Sequence, residues 1–217
     1  MPRAEIGVPA LSFEPESTRD AILRTAGEVF LTHGYEQSSM EQIALQSGVA
    51  RRTLYNHFSS KKALFDATIS RMWERMPLTP IVDATSGTQS PQEVLQTIGL
   101  TIAKFWTPPE AVAFVRLVIW ESPRFPEIGT SFLDGGTEPA RNAVKKYVRR
   151  LSRQRDFRIA DPDLAAAQFI DVILGEVVLG RLATSNISTP DEKRRAYVVK
   201  EAVALFMARY HVPSAEK

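Results

Sequence analysis

Apolar residues recur at intervals of three and four along most of the chain, which is the spacing of one face of an α-helix. The first such stripe consists of Ile22, Leu23, Ala26, Val29 and Phe30. It predicts an amphipathic helix that begins near Ser17 and ends at Gly34, since glycine commonly terminates helices. Residues 1–16 hold three prolines and no such period, so we expect them to form a mobile arm.

Two short helices are predicted next, and a glycine joins them. Ser39 is followed three positions later by Gln42, which is typical of a capping box at the start of a helix. This helix ends at Gly48, and a further helix spans residues 50–58. Because glycine tolerates the positive φ that a sharp turn requires, the pair has the organisation of a helix-turn-helix.

The rest of the chain is also predicted to be helical. A fourth helix runs from Ser60 to about Met76, and Pro77, Pro80 and a Ser/Thr/Gly-rich stretch that reaches Ser90 then break the pattern. Further helical stretches cover residues 94–106, 111–120, 126–153, 163–184 and 191–210, and the third of these is interrupted at Gly135 and Gly136. Because no stretch alternates polar and apolar residues as a strand does, the predicted fold class is all-α.

The composition narrows the class of protein. The 217 residues include no cysteine and three histidines, which excludes thiolate chemistry and leaves no spacing typical of a metal site. The sequence also lacks a glycine loop for phosphates and a base paired with a serine nucleophile, so we expect no enzyme, no metal and no cofactor. No apolar run of about 18 residues or signal-peptide pattern is found, so we expect a cytoplasmic protein that binds no membrane.

The third helix carries the candidate chemistry. With Leu54 facing the core, the helical period of about 100° per residue places Arg52 and Asn56 on the opposite face and Thr53 and Tyr55 on its flanks. Arginine and asparagine can form bidentate hydrogen bonds to guanine and adenine, and a tyrosine hydroxyl can reach a phosphate. The net charge of +2 does not by itself indicate a nucleic-acid partner. Residues 50–62 nevertheless contain no acid and four cations, which are Arg51, Arg52, Lys61 and Lys62.

The stretch from Ala21 to Ile69 resembles the N-terminal DNA-binding domain of the TetR family of bacterial transcriptional repressors. It contains, in order, F-x-x-x-G-Y, S-x-x-x-I-A, G-V, T-L-Y-x-H-F and S-K. The resemblance implies that residues 17–62 form a DNA-binding domain with residues 50–58 as its recognition helix. The implied DNA contacts are Ser39, Met40, Arg51, Arg52, Thr53, Tyr55, Asn56, His57 and Lys61.

The resemblance also implies a role for most of these contacts. The expected base contacts are Arg52, Thr53 and Asn56, and the expected phosphate contacts are Ser39, Tyr55, His57 and Lys61. Two positions depart from the family pattern. Ala50 stands where the family usually has a capping Ser or Thr, which removes a cap worth about 1 kcal/mol. Arg52 stands where a glycine is common, and it adds a long side chain that can reach a base or a phosphate.

Residues 63–217 are expected to bind a ligand and to form a dimer. The segments RLVIWESPRFPEIG and ADPDLAAAQF resemble the ligand-binding part of AcrR-like and AefR-like members of the family. Each aromatic residue here, taken singly, is more often a core residue, but as a set they predict an apolar cavity. The expected pocket residues are Trp73, Trp106, Phe114, Leu117, Phe125, Phe132, Phe169 and Ile173. We therefore expect a small, mainly apolar effector, with a tilt of the fourth helix at Trp73 as its link to the DNA-binding domain.

The last two predicted helices are expected to form the dimer, because each carries an apolar stripe at intervals of three and four. The expected interface residues are Ala167, Ile170, Leu174, Val177, Arg181, Val199, Val203, Phe206 and Tyr210. The resemblance implies a four-helix bundle, whose two-fold symmetry requires a near-palindromic double-stranded DNA operator. The expected function is that of a homodimeric repressor released by an effector. A helix-turn-helix regulator or adaptor without a small-molecule effector remains the alternative.

Overall fold

The computed structural model describes residues 17–84, 89–184 and 186–212, so the arm expected over residues 1–16 lies outside the described residues. Within these ranges the N-terminal helices are α1 Thr18–Gln37, α2 Met40–Gln46, α3 Arg51–His57, α4 Lys61–Trp73, α5 Leu78–Ala84 and α6 Pro91–Trp106. The later helices are α7 Pro109–Glu121, α8 Pro126–Phe132, α9 Glu138–Leu151, α10 Pro162–Leu174, α11 Gly180–Ala183 and α12 Glu192–Tyr210. The described residues form no β-strand, and the predicted all-α class is confirmed.

Side-chain caps determine where several of these helices begin. Ser39 Oγ accepts a hydrogen bond from Gln42 N at 3.1 Å at the start of α2, as the sequence predicts. Ser60 Oγ accepts one from Ala63 N at 3.1 Å at the start of α4. Ala50 provides no such bond to α3, so this seven-residue helix depends on its tertiary contacts.

Three features differ from the predicted helix pattern. α4 ends at Trp73 rather than near Met76, and α5 forms where the sequence predicts a break. Pro80 lies in the first turn of α5, where its missing N–H costs no helical hydrogen bond. The long helical stretches also contain π-helical turns at Leu133–Thr137 and Gly175–Leu179, which separate α8 from α9 and α10 from α11.

One hydrophobic cluster joins the two parts of the chain. We call α1–α3 the head and α5–α12 the body. α4 lies between them, since it packs on α1 and also on α8 and the π-helical turn that follows it. The ring of Phe65 in α4 stacks on Phe114 in α7, with the ring centroids 5.6 Å apart. The apolar core of the head therefore continues into the body without an intervening linker.

Six of the nine residues predicted at a dimer interface lie instead in the core of this chain, and they are Ile170, Val177, Arg181, Val199, Val203 and Phe206. The other three are half-buried, and they are Ala167, Leu174 and Tyr210. Packing between α12 and α6 is so close that a Cβ atom on Gly99 would lie 2.6 Å from Val199 Cγ1. For these six residues the prediction was wrong, because α10 and α12 each carry a second apolar face and the period alone does not tell which face is covered.

Arg181 is a buried cation that joins two parts of the body. Its guanidinium donates hydrogen bonds to the carbonyl oxygens of Trp106 at 3.0 Å, Thr107 at 2.9 Å and Val177 at 3.3 Å. Carbonyl groups at the end of a helix such as α6 lack helical partners and carry partial negative charge. Burial lowers the pKa of Arg181. Arg181 thus caps α6 within the chain.

The aromatic residues predicted to surround a ligand pack against one another. Trp73 stacks on Phe105 with centroids 5.0 Å apart, and it contacts Trp106 at 5.7 Å and Phe132 at 5.5 Å. The rings fill the predicted cavity themselves, since close contact between apolar groups is favoured over empty space. The other predicted pocket residues are buried or half-buried in the same core, and they are Phe114, Leu117, Phe125, Phe169 and Ile173.

Candidate nucleic-acid interface

The two short helices of the head meet at a sharp turn. Gly48 has a φ of 70°, in the left-handed region that favours glycine. Val49 N donates a hydrogen bond to Ala44 O at 3.1 Å, and the Val49 side chain packs against the hydrophobic core. This turn holds α2 beneath α3 and presents the outer face of α3 to solvent, as the predicted helix-turn-helix requires.

The outer face of α3 presents the residues that the sequence predicts for base contacts. Arg52 and Asn56 are exposed one helical turn apart, and neither has a hydrogen bond or ion pair within the described residues. Tyr55 and His57 are also exposed, whereas Thr53 is half-buried. Because Arg52 and Asn56 have no internal partner, all their donors and acceptors are available to base edges.

Two of the four cations in and just after α3 form ion pairs within the chain. Arg51 Nη2 lies 2.7 Å from Glu41 Oε1 in α2, and Lys62 Nζ lies 2.7 Å from Asp66 Oδ2 in α4. Exposed pairs of this kind contribute little, about 0–1 kcal/mol, so a phosphate can compete for either cation. Arg52 needs no such exchange, which makes it the strongest candidate for a DNA contact.

Lys61, one of the expected phosphate contacts, is hydrogen-bonded within the chain. Its Nζ donates hydrogen bonds to the carbonyl oxygens of Tyr35 at 2.7 Å, Glu36 at 3.1 Å and Ser38 at 2.9 Å. All three N–H bonds of the ammonium group are therefore used inside the protein, and burial lowers the pKa of Lys61. Lys61 joins the start of α4 to the end of α1, and a phosphate contact would require these bonds to open.

Ser39 and Met40 also have structural roles. The hydroxyl of Ser39 caps α2, while its own hydrogen remains free to reach a phosphate. The Met40 side chain is 6% exposed and packs in the core of the head. A buried side chain cannot contact DNA. The apolar thioether instead stabilises the head by leaving water.

The hydrophobic pattern does not predict the polar contacts that attach the head to the body. Glu121 is the last residue of α7 and is 6% exposed. Its Oε1 accepts hydrogen bonds from Tyr35 N at 2.8 Å and Glu36 N at 3.4 Å. Arg124 forms a two-pronged ion pair with the Glu36 carboxylate. The sequence signal for Glu121 is its position as a single acid at the end of a mostly apolar stretch.

A second polar contact joins α4 to the body. Ser131 Oγ in α8 donates a hydrogen bond to Asp66 Oδ1 at 2.6 Å. Lys62 Nζ lies 3.3 Å from the same hydroxyl oxygen. α4 is thus held at its start by polar groups and at its end by the rings around Trp73.

Two grooves border the junction of the head and the body. The larger, of about 1260 Å³, lies between α1 and α4 on one side and α6 and α7 on the other. Its walls combine apolar residues, which include Leu23, Met72, Phe105 and Phe114, with charged residues, which include Arg71, Arg75 and Lys104. The smaller, of about 1050 Å³, lies beside α7 and includes Leu117. Of the predicted pocket residues, Phe114 lines the first groove and Leu117 the second.

Two other kinds of site are not found in the parts of the chain that the structure describes. No group of three or more His, Asp or Glu residues there is arranged to hold a metal ion. Among the helices of the described ranges, none is both long enough and apolar enough to cross a membrane.

The all-helical fold and the exposed face of α3 define a helix-turn-helix DNA-binding transcriptional regulator, which is not an enzyme. The chain belongs to the TetR family of bacterial regulatory proteins. Residues 22–68 match the family described as "Bacterial regulatory proteins, tetR family". Residues 93–212, more than half of the chain, match the "AefR-like transcriptional repressor, C-terminal domain".

The chain is similar to individual proteins over different lengths. The transcriptional repressor BepR of Brucella suis biovar 1 (strain 1330) is 43% identical over 58 residues, which cover 27% of this chain and only 28% of BepR. A TetR-family transcriptional regulator from Mesorhizobium loti MAFF303099 has a similar structure, with a TM-score of 0.77 at 22% identity over 90% of this chain and 97% of that one. The flavonoid-responsive regulator FrrA has a TM-score of 0.69 at 28% identity, over 91% and 98% of the two chains.

Proposed function

We propose that this protein is a homodimeric, sequence-specific repressor that a small, mainly apolar effector releases from its operator. The observation that carries the proposal is the outer face of α3, where Arg52 and Asn56 stand one turn apart without partners in the described residues. An arginine and an asparagine in this arrangement can read two base pairs in a major groove. The similarity of a 58-residue stretch to the repressor BepR and the AefR-like type of the second domain support repression.

The dimer is proposed to form through the outer faces of the last helices and their connections. These faces expose large apolar side chains, which are Leu164, Val172, Leu179, Tyr197 and Leu205. Removing them from water favours association. The helices are those that the sequence predicts, but the residues lie on the faces opposite to the predicted stripes. A two-fold dimer of this kind would place two copies of α3 on a near-palindromic operator.

The effector is proposed to bind in the larger groove between the head and the body. Its walls include Met72, Phe105 and Phe114, and Phe105 also stacks on Trp73. A ligand in this groove would contact α1 and α4 on one side and α6 and α7 on the other. Its affinity would therefore depend on the position of the head, which is the condition for coupling effector binding to DNA binding.

The chemistry of the core supports an aromatic effector with at least one hydrogen-bond acceptor. Trp73 Nε1 and Thr137 Oγ1 are buried and have no hydrogen-bond partner among the described residues. Neither residue lines the larger groove, so a ligand oxygen would pair with them only if the rings around Trp73 moved apart. Such a bond would recover the cost of about 1–3 kcal/mol of a buried polar group without a partner. The flavonoid response in the name of FrrA, which is 28% identical over most of the chain, also supports an oxygenated aromatic compound.

The test is to select bound sequences from a random pool of DNA duplexes and then to repeat the binding with flavonoids and other oxygenated aromatic compounds. We expect a near-palindromic site that the wild type binds and that an active compound releases. Selection of a site that no compound releases would support a regulator without a small-molecule effector. No binding to any duplex at low salt would support an adaptor instead, because phosphate contacts strengthen as salt falls.

A further inference from the structure

The chain between α1 and α2 is held by groups that the body supplies. Gly34 has φ 79° and ψ 170°, so the helical path of α1 breaks there. N–H groups that follow such a break need acceptors from outside the helix. Glu121 Oε1 in α7 is that acceptor for Tyr35 N at 2.8 Å and for Glu36 N at 3.4 Å.

The fit between Glu121 and this turn is close and leaves no room for another side chain. A Cβ atom on Gly34 would lie 2.7 Å from Glu121 Oε1, and a positive φ would strain any other residue there. Glu121 is a buried residue that is 6% exposed. A buried charge requires strong compensation, which the two N–H groups and the nearby Lys61 ammonium supply.

We infer that Glu121 is a positioning residue that holds the DNA-reading head in one place relative to the body. This inference rests on the proposed function, because it concerns how effector binding would reach α3. Ala111 and Phe114 near the start of α7 line the groove proposed for the effector, and α7 ends at Glu121. At 1.5 Å per residue, roughly 10 Å of helix separates Phe114 from Glu121. A shift of α7 at the groove would therefore move the turn after α1, and α2 and α3 with it.

The neighbouring contact supports the head in the same place but is weaker. Arg124 and Glu36 form their two-pronged pair at the surface. Exposed ion pairs contribute little because solvent screens them. Arg124→Ala should therefore loosen the head in the same direction as a change at Glu121, but by a smaller amount.

The experiment measures the position of the head directly. The chain has no cysteine, so nitroxide labels on Leu45→Cys in α2 and Arg153→Cys after α9 would be the only ones, and both positions are exposed. Labelled protein is diluted with unlabelled protein so that pulsed electron paramagnetic resonance reports the distance between the two labels of one chain. The variants are Glu121→Ala, the similarly shaped Glu121→Gln and Arg124→Ala, with the exposed acid Glu138→Ala as a control.

The reference protein is the doubly labelled chain without a further substitution. We expect a narrow distribution of the distance between the labels for this protein and for Glu138→Ala, and a broad one for Glu121→Ala. Glu121→Gln and Arg124→Ala should give distributions of intermediate width. Circular dichroism of each variant shows that it remains folded, and Glu121→Gln carries the test if Glu121→Ala does not fold. A narrow, unshifted distance in a folded Glu121 variant would overturn the inference.

The consequence for DNA binding is measured separately. If the released head is in the operator-competent position about one-tenth of the time, operator affinity falls about ten-fold, because apparent affinity scales with the competent fraction. The distance measurement needs neither DNA nor effector. A broad distance with no operator binding by the reference protein would contradict the proposed function alone, whereas normal operator binding with an unshifted distance would contradict the inference alone.

Discussion

Gly136 and Trp73 stand so close together that a Cβ atom on the glycine would lie 2.0 Å from the indole ring. Gly136 belongs to the π-helical turn between α8 and α9, and Trp73 is the last residue of α4. The contact places the end of α4 directly against the backbone of the body. A side chain at position 136 would have to push the ring, or the turn, out of its present place.

We expect Gly136→Ala to lower the free energy of unfolding by about 1–3 kcal/mol, the usual cost of extra volume in a packed core. Gly175→Ala is the matched control, because Gly175 begins the other π-helical turn and a Cβ atom there meets nothing within 4 Å. Urea unfolding followed by circular dichroism measures both variants. Equal losses for the two would show that the π-helical turns, and not the contact with Trp73, set the cost.

Arg52 and Arg51 are expected to affect DNA binding differently. Arg52→Ala should cost about 1–3 kcal/mol of operator binding and relax the preference at one base position, because Arg52 is free to reach a base edge. Arg51 is paired with Glu41, so Arg51→Ala should weaken all sequences alike and by less. Selection from a random duplex pool with each variant measures the preference. An unchanged selected sequence for Arg52→Ala would remove Arg52 from the base contacts.

Lys61 is expected to matter more for the stability of the head than for DNA affinity. Lys61→Met keeps the length of the side chain but leaves three carbonyl oxygens without their donor. The expected cost is about 1 kcal/mol, the lower end of the range for a group that loses its partner, because these bonds are only partly buried. Lys62→Met is the control, because Lys62 makes an exposed ion pair. Urea unfolding and the salt dependence of DNA binding are measured together. A salt slope that falls by about one with unchanged stability would restore the phosphate contact for Lys61.

The outer face of α12 is expected to control association. Leu205 is 60% exposed, and Leu205→Glu would place a charge in the proposed dimer contact, where it would lose its hydration. We expect this variant to sediment as a monomer at micromolar concentration and to bind operator weakly. Leu45→Glu in α2, where the leucine is 81% exposed, is the control and should leave the sedimentation unchanged. If Leu205→Glu remains a dimer, the dimer contact must lie on another surface.

Tyr147 is expected to make stability fall in alkaline solution. Burial raises its pKa from 10 to about 12, so between these pH values the folded chain keeps a proton that the unfolded chain loses. The free energy of unfolding therefore falls as pH rises through this window, and the contribution is fully present below pH 10. Tyr147→Phe should reduce the fall, and the exposed Tyr197→Phe should not. Urea unfolding at pH 8 and pH 11 compares them, and an equal fall in both variants would exclude Tyr147 as the cause.

The local pattern of the sequence was enough to predict the helix-turn-helix and its outward residues. The period of the helix sets Leu54 inward and Arg52 and Asn56 outward, and Gly48 marks the turn. These properties depend on neighbours a few positions away, so the sequence is enough to predict them, although α3 itself needs tertiary contacts to be stable. The sequence predicts an interruption at Gly135 and Gly136. It does not predict the contact of Gly136 with Trp73, because the space left for that ring depends on how α4 meets the body.

Tertiary structure decided what the apolar stripes and the buried charged side chains contact. Val199 and Val203 lie on one face of a helix, as predicted, but this face packs against α6 of the same chain. Lys61 binds carbonyl groups more than 20 positions away, and Glu121 binds an N–H group 86 positions away. A helical period reports only which residues share a face. What covers that face depends on the packing of distant helices, and on where a buried charge can find hydrogen bonds.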